Sequence, residues 1–205
     1  EYPNVKARFI PVFCQHCDNA PCEPVCPTYA TYHNDQGLNV QVYNRCVGTR
    51  YCANNCPYQV RFFNFFNPSW PESLWNQLNP DVTVRSRGIM EKCTFCVQRI
   101  RRAERQIEGQ KGEELTDQKI KDGNFSPACV NACRTDALVF GDLNYVDLDT
   151  GEKSKVAKLK EESLSKNGRG YKLMGELGTE PNVTYLKKVD ADSGHSSHGG
   201  DSSHG

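Results

Sequence analysis

The sequence has no long apolar run and no excess of charge, and both absences limit what the protein can be. It has 205 residues, 37% of them hydrophobic, and a mean hydropathy of −0.68. No run of about 18 apolar residues occurs, so no transmembrane helix is predicted. The formal net charge is zero, with 25 basic and 25 acidic residues, which argues against general nucleic-acid binding. No signal-peptide pattern follows Glu1, and we expect a fragment or a processed product.

Cysteine, by contrast, is abundant. The chain has 11 cysteines, and its modest apolar content does not predict a large aliphatic core. A complete disulfide framework would leave one cysteine over, because the count is odd. The C-x-x-C spacings at Cys14–Cys17 and Cys93–Cys96 favour metal binding. Iron–sulfur clusters are the preferred interpretation. A zinc-stapled interaction protein and a disulfide-rich secreted module are the alternatives from other classes.

The first two cysteine groups have the spacing of ferredoxin-type cluster sites. The pattern C-x2-C-x4-C-x3-C-P places its last cysteine at Cys26, and a second pattern, C-x5-C-x3-C-P, places its last at Cys56. In such sites three close cysteines bind one cluster, and the fourth, next to proline, binds the other cluster. This rule predicts a [4Fe-4S] cluster on four thiolates: Cys14, Cys17, Cys22 and Cys56.

The second group lacks one cysteine, and this changes the predicted cluster. A four-iron cluster requires a thiolate three residues after Cys46, but Thr49 stands at that position. Because a hydroxyl is a poor iron ligand beside thiolates, we expect a [3Fe-4S] cluster on Cys26, Cys46 and Cys52. A four-iron cluster completed by water or by Thr49 stays open as the alternative.

A third cysteine group follows and has no partner group in this sequence. We expect Cys93, Cys96 and Cys129 to bind a [4Fe-4S] cluster whose fourth thiolate comes from an upstream cysteine group. Cys133 is then the fourth ligand of a further [4Fe-4S] cluster, although Arg134 follows it where proline is expected. Alternatively, these four cysteines close one cluster by themselves.

The predicted fold class is α+β, with tandem ferredoxin-like units of the βαβ type and long loops. The unit consists of a strand, a cysteine loop, a short helix and a strand, and it occurs at least twice. Strands are expected at 5–12, 38–42, 137–140 and 183–186. Helices are expected after Cys26 and at 97–108, 127–133 and 152–166, with turns at 34–37 and 171–178. Three regions result: an iron–sulfur domain over 1–141, a largely irregular peripheral extension over 142–188, and a disordered Ser/Gly/His tail over 189–205.

Two segments have unusual compositions. Seven aromatic residues lie between Tyr58 and Trp75, and they either pack over the clusters or form part of a docking surface. Residues 85–105 are basic, and form either a solvated helix face or a set of cations that raises a cluster's reduction potential. His16 and His33 are expected to be structural and not to be ligands.

The cysteine pattern over about residues 5–141 resembles that of a known family. The runs F-C-Q-H-C-D-N-A-P-C-E-P-V-C-P, R-C-V-G-T-R-Y-C-A-N-N-C-P-Y, E-K-C-T-F-C-V-Q-R-I and P-A-C-V-N-A-C resemble the four-cluster ferredoxin-like electron-transfer subunits of molybdopterin oxidoreductases, such as polysulfide and dimethyl sulfoxide reductase. More narrowly, N-P-D-V-T-V-R-S-R-G-I-M-E-K-C-T-F-C, the three-cysteine group and residues 178–186 resemble the iron–sulfur subunit of bacterial alternative complex III.

The resemblance implies a function and partners. The subunit would relay electrons between a membrane quinol site and a cytochrome c-type acceptor, with no catalytic residues of its own. The implied partners are a polysulfide-reductase-type membrane subunit, c-type cytochrome subunits, and an upstream part of the same subunit or a molybdopterin-oxidoreductase-like domain. It would lie peripherally on the periplasmic side of a bacterial inner membrane, with segment 58–78 as a docking surface. An electron-transfer subunit of a molybdopterin-dependent reductase is the alternative.

Overall fold

The computed structural model of the chain describes residues 9–111, 120–147 and 150–189. The strand predicted at 5–12 lies partly outside these residues, and the described residues 9–12 form no strand. The predicted disordered tail, from residue 190 onward, also lies outside the described residues.

A first antiparallel hairpin follows the first cysteine loop. It pairs β1 (Thr31–His33) with β2 (Asn39–Gln41). Asn34 closes the turn, because its carbonyl oxygen accepts a bond from the N–H of Gly37 and its side-chain oxygen accepts one from the N–H of Leu38, both at 2.9 Å. Gly37 has a φ of 74°, which glycine adopts without steric cost. The predicted turn and the second predicted strand are both confirmed.

A second antiparallel hairpin follows the second cysteine loop. The loop contains a short helix, α1 (Tyr51–Asn54), and leads into β3 (Arg61–Phe63), which pairs with β4 (Met90–Lys92). In the register of this pair, Arg61 lies directly opposite Lys92. The small sheets and few helices agree with the predicted α+β class. The strands in the described segments pair as antiparallel hairpins, so the crossover βαβ form of the predicted units is not found there.

Three more helices lie where the sequence predicts them. They are α2 (Val97–Lys111), α3 (Ala128–Ala132) and α4 (Lys155–Leu164). Ser154 caps α4, because its hydroxyl oxygen accepts a bond from the N–H of Ala157 at 3.2 Å.

Two short elements differ from the prediction. In place of the helix expected after Cys26, the chain forms turns that direct a backbone N–H onto the cysteine sulfur. The apolar residues 137–140 do not form a strand. Phe140 packs against other aromatic rings instead. Its ring lies edge-on to those of Phe95 and Phe125, with centroids 5.2 and 5.1 Å away.

A third hairpin lies in the segment predicted to be a peripheral extension. It pairs β5 (Gly170–Tyr171) with β6 (Tyr185–Leu186), and a 3-10 helix (Gly175–Leu177) lies between them. The helical turn and the strand predicted in this part of the chain are thereby confirmed.

This third hairpin is hydrogen-bonded to the first cysteine loop. The backbone N–H of Asp18 donates to the carbonyl of Glu180 at 2.9 Å, and that of Asn182 donates to the carbonyl of Gln15 at 3.0 Å. The Tyr58 hydroxyl is also hydrogen-bonded to the hydroxyl of Thr179 at 2.6 Å. The C-terminal segment is therefore part of the wall around the cysteine loops, a contact that the predicted peripheral location did not anticipate.

Candidate metal centre

The cysteines of the first two groups are divided between two cavities. All eleven cysteines of the chain lie in described residues, and all are free thiols. One cavity is lined by four of them: Cys14, Cys17, Cys22 and Cys56. The other is lined by three cysteines and a threonine: Cys26, Cys46, Cys52 and Thr49. The last cysteine of each group thus lies in the cavity of the other group, which is the division that the spacing predicts.

A left-handed backbone residue recurs in each cysteine group. His16 (φ 45°), Gly48 (φ 74°) and Phe95 (φ 52°) each lie two residues after the first cysteine of their group. The residue that follows is Cys17 in the first group, Cys96 in the third and Thr49 in the second. Thr49 therefore occupies the position at which the other two groups have a cysteine.

A second left-handed position follows the last cysteine of each group. Tyr29 (φ 52°), Gln59 (φ 52°) and Asp136 (φ 51°) lie three residues after Cys26, Cys56 and Cys133, respectively. Cys133 therefore has the same exit turn as the other two final cysteines, although arginine replaces the proline that follows each of them.

These exit turns direct hydrogen-bond donors at the sulfur. The N–H of Ala30 donates to the Cys26 sulfur at 3.2 Å, and the Thr135 hydroxyl lies 3.5 Å from the Cys133 sulfur. Burial raises the pKa of Cys26, but hydrogen bonds from Thr28 and Ala30 outweigh this and lower it overall. The pKa of Cys133 is lowered by its bond with Thr135. Both sulfurs are thus stabilised as thiolates, the form that binds metal.

Burial has the opposite effect on other cysteines. It raises the pKa of Cys17 to about 11, and it also raises the pKa values of Cys22, Cys52 and Cys93. These thiols are protonated at neutral pH in the metal-free fold. They must therefore release protons when they become metal ligands.

Arg61 is a buried cation that contacts both cavities. It lines the four-cysteine cavity, and its Nη2 donates to Thr31 Oγ1 at 2.6 Å and to Gln41 Oε1 at 2.5 Å, two residues that line the other cavity. Burial lowers the pKa of Arg61, but attraction to the sulfurs of Cys22 and Cys52 raises it overall. Sequence reasoning missed this residue. The only signal was a single arginine in an otherwise aromatic and apolar strand.

Lys92 is a second buried basic residue, on the strand that pairs with that of Arg61, and burial lowers its pKa, whereas the Cys14 sulfur acts in the opposite direction. Its Nζ donates to the carbonyl of Cys93 at 2.8 Å and to the sulfur of Cys14 at 3.5 Å. Lys92 therefore lies between the four-cysteine cavity and the third cysteine group. Of the two interpretations of the basic segment, a cation near the cysteines describes Lys92, whereas Arg101 and Arg102 on α2 are exposed.

His16 has a structural contact, as predicted. It is 1% exposed, and its Nδ1 accepts a bond from the backbone N–H of Asn39 at 3.2 Å. Burial holds the pKa of His16 well below its ordinary value, so the ring is neutral. It stacks on Phe95 with centroids 3.8 Å apart. His33, also predicted to be structural, pairs with Glu23 at 2.6 Å.

The two parts of the third cysteine group, which are far apart in the sequence, lie side by side. The N–H of Ala128, at the start of α3, donates to the Cys96 sulfur at 3.4 Å. The guanidinium of Arg99 donates to the carbonyl of Ser126 at 3.1 Å. These contacts hold the start of α3, which carries the exposed Cys129, beside the C-x-x-C loop.

The structure buries one part of the aromatic segment and exposes the other. Tyr58 is buried and Phe63 packs against the cysteine core, as the core interpretation requires. Five other aromatic side chains of the segment are 46% to 74% exposed: Phe62, Phe65, Phe66, Trp70 and Trp75. We call these five side chains the exposed aromatic surface. Of them, the Phe65 ring lies near the cavity that contains Thr49, because the Arg50 guanidinium, which lines that cavity, is 5.9 Å from the ring centroid.

The donor set fits thiolate-bound iron–sulfur clusters. Sulfur ligands line both cavities, N–H groups point at several sulfurs, and two buried cations balance the negative charge that four thiolates give a cubane. Within the described ranges, no three side chains of His, Cys, Asp or Glu converge as ligands of a single metal ion. None of the helices described is both long enough and apolar enough to cross a membrane.

Comparison with known proteins agrees with this chemistry. The family profile described as a 4Fe-4S dicluster domain matches residues 5–68. The chain is 38% identical over 190 residues to the menaquinone reductase iron–sulfur cluster-binding subunit of Nitratidesulfovibrio vulgaris, with 91% of this chain and 68% of that protein covered. It is 31% identical over 214 residues to the arsenate respiratory reductase iron–sulfur subunit of a Shewanella species, with coverages of 91% and 78%.

A third relative comes from an archaeon. The chain is 38% identical over 187 residues to the Hdr-like menaquinol oxidoreductase iron–sulfur subunit 1 of Archaeoglobus fulgidus, and covers 59% of its length. The chain thus spans between 59% and 78% of these three relatives. The broad resemblance found in the sequence is confirmed: the chain belongs to the family of 4Fe-4S ferredoxin-type iron–sulfur subunits of oxidoreductase complexes.

Proposed function

We propose that this chain relays electrons between a membrane quinol site and a cytochrome c-type acceptor, as the iron–sulfur subunit of a membrane-bound complex. The observation that carries the proposal is the pair of cysteine cavities on either side of Arg61. Bound clusters supply one-electron chemistry, and the protein supplies their spacing, burial and surrounding charge. We assign no catalytic acid, base or nucleophile to the chain.

The cluster assignment follows the two cavities. The cavity with four buried thiols would hold a [4Fe-4S] cluster on Cys14, Cys17, Cys22 and Cys56. The cavity with Thr49 would hold a [3Fe-4S] cluster on Cys26, Cys46 and Cys52. Support for the second assignment comes from the backbone, because Thr49 follows a left-handed residue just as Cys17 and Cys96 do.

The third group would take part in two further [4Fe-4S] clusters. Cys93, Cys96 and Cys129 would bind one of them, with a fourth thiolate from an upstream cysteine group. Cys133 would be the last ligand of another. The exit turn after Cys133 supports this division, because Cys26 and Cys56 have the same turn and each lies in the cavity of the other group.

The proposed complex is of the alternative complex III type. Two relatives carry menaquinone or menaquinol in their names, which supports a quinol partner. The exposed aromatic surface would dock a polysulfide-reductase-type membrane subunit on the periplasmic side, and c-type cytochromes would be further subunits. The similarity to an arsenate respiratory reductase subunit favours the second candidate, a subunit of a molybdopterin-dependent reductase.

Metal and sulfide analysis of the purified complex tests the cluster chemistry. We expect iron and acid-labile sulfide in nearly equal amounts, without stoichiometric zinc. Zinc without labile sulfide would overturn the electron-transfer function in favour of a zinc-stapled interaction protein. Molybdopterin in the intact complex would favour the second candidate, whereas quinol-dependent reduction of a cytochrome c by a complex without molybdopterin would favour the first.

A further inference from the structure

Two basic residues lie buried opposite each other, without a carboxylate partner among the described residues. Arg61 and Lys92 are 6% and 8% exposed and face each other across the β3–β4 pair. Like charges directly opposite on a sheet are destabilising, and an unpaired buried charge is costly. In the part of the chain that the structure describes, neither cation forms an ion pair with Asp or Glu.

The groups around the two cations are mostly cysteines and neutral polar atoms. Arg61 Nη2 bonds to a hydroxyl and an amide oxygen, whereas its buried Nε and Nη1 have no hydrogen-bond partner among the residues that the structure describes. Lys92 bonds to a backbone carbonyl and to the sulfur of Cys14. The compensating negative charge therefore has to come from the cysteine cavities.

The two cations are not distributed equally among the sites. Both reach the four-cysteine cavity, because Lys92 bonds to Cys14 and Arg61 is one of the residues that line it. Of these two residues, Arg61 alone contacts the cavity with Thr49, through Thr31 and Gln41, and the exposed Arg50 also lines that cavity. Lys92 alone of the two bonds to the third group, at the carbonyl of Cys93.

We propose that Arg61 and Lys92 are fixed cations that raise the reduction potential of the cluster in the four-cysteine cavity. Each reduction adds one electron and one negative charge to a cluster, and a buried cation a few ångströms away stabilises that charge. Arg61 also acts on the neighbouring cavity, so neutralising it lowers two potentials. This inference rests on the proposed cluster chemistry.

The test is a redox titration with dithionite, followed by EPR, on the purified, cluster-loaded complex. Arg61→Gln and Lys92→Gln remove the charge, and Arg61→Lys and Lys92→Arg keep it. Arg102→Gln, on the exposed face of α2, is the control. Each neutral variant should make reduction of this cluster about tenfold less favourable, which is about 59 mV for one electron. The charge-retaining variants should stay close to the wild type.

The possible results distinguish an effect of the charge of Arg61 and Lys92 from an effect of side-chain shape. They also distinguish both from failure of the proposed function. Wild-type protein without iron and labile sulfide would overturn the proposed function itself. Retained clusters with unshifted potentials, or equal shifts in the charge-retaining and neutral variants, would overturn the role of the cations. If the neutral variants lose the cluster, its retention in Arg61→Lys and Lys92→Arg supports the charge role, and equal loss contradicts it.

Discussion

The loops around the two cysteine cavities share a left-handed residue at the same position. The cavities differ in the side chains that line them and in how exposed these side chains are. In one, all four cysteines are buried, and two buried cations are adjacent. In the other, Cys52 is buried, Cys26 and Cys46 are partly exposed, and Thr49 is exposed. Both loops nevertheless have a left-handed residue at the same place, His16 in one and Gly48 in the other.

The comparison shows that the ligand can change without a change of loop. In each loop, the residue after the left-handed position lines the cavity. It is a cysteine in one loop and a threonine in the other. Under the proposed assignment, this one side chain would set the kind of cluster, while the turns would set its place. The predictions that follow test this separation.

The largest effect is expected when a buried ligand is removed. Cys56→Ser and Cys52→Ser are matched, because the two thiols are 9% and 7% exposed. We expect Cys56→Ser to lose about four iron atoms per chain and Cys52→Ser about three, since each lies in a different cavity. Iron and sulfide analysis measures both. Equal losses from the two variants would contradict the assignment of different clusters.

Thr49→Cys should turn the second cavity into a site like the first. The added thiol would stand where Cys17 and Cys96 stand in their groups, so we expect a gain of about one iron atom per chain. Thr49→Ser is the control and should leave the iron content unchanged. An iron content that does not rise in Thr49→Cys would mean that the wild-type site already holds a fourth iron.

Gly48→Ala should destabilise the second loop through a steric clash. A Cβ at Gly48 would lie 2.4 Å from the carbonyl oxygen of Gly88. Gly37 has the same φ of 74° but nothing within 4 Å, so Gly37→Ala measures the cost of φ alone, about 1 to 2 kcal/mol. Thermal unfolding of the complex should show a clearly larger loss for Gly48→Ala. Equal losses would mean that the loop moves freely to accept the Cβ.

The smallest effect is expected at the contact between the third hairpin and the first cavity. Thr179→Val removes the hydroxyl bonded to Tyr58 and should cost about 1 kcal/mol. A double-mutant cycle with Tyr58→Phe measures the shared bond. If the losses in the free energy of unfolding from the two single variants add up to that of the double variant, the two hydroxyls do not interact.

Ligand spacing was predictable from the sequence because it is local. Three or four residues of chain decide which cysteines share a loop, and the division between two cavities follows from the cysteine–proline pairs. The turn at Asn34 and the helices α2 and α4 were predictable for the same reason, since their signals lie within the element.

What the sequence could not provide depends on contacts between distant segments. Arg61 faces Lys92 only because β3 and β4 pair in one register. Thr179 reaches Tyr58 across more than a hundred residues, and Phe140 packs on Phe95 instead of joining a strand. No local pattern indicates these partners.

The most direct test of the central claim is low-temperature EPR of the oxidised, intact complex. An oxidised [3Fe-4S] cluster is paramagnetic, whereas ordinary oxidised [4Fe-4S] clusters are silent. We predict a nearly isotropic three-iron signal that disappears on mild reduction and is absent from Thr49→Cys. A silent oxidised sample, with only four-iron signals after reduction, would contradict the claim that Thr49 sets the cluster type.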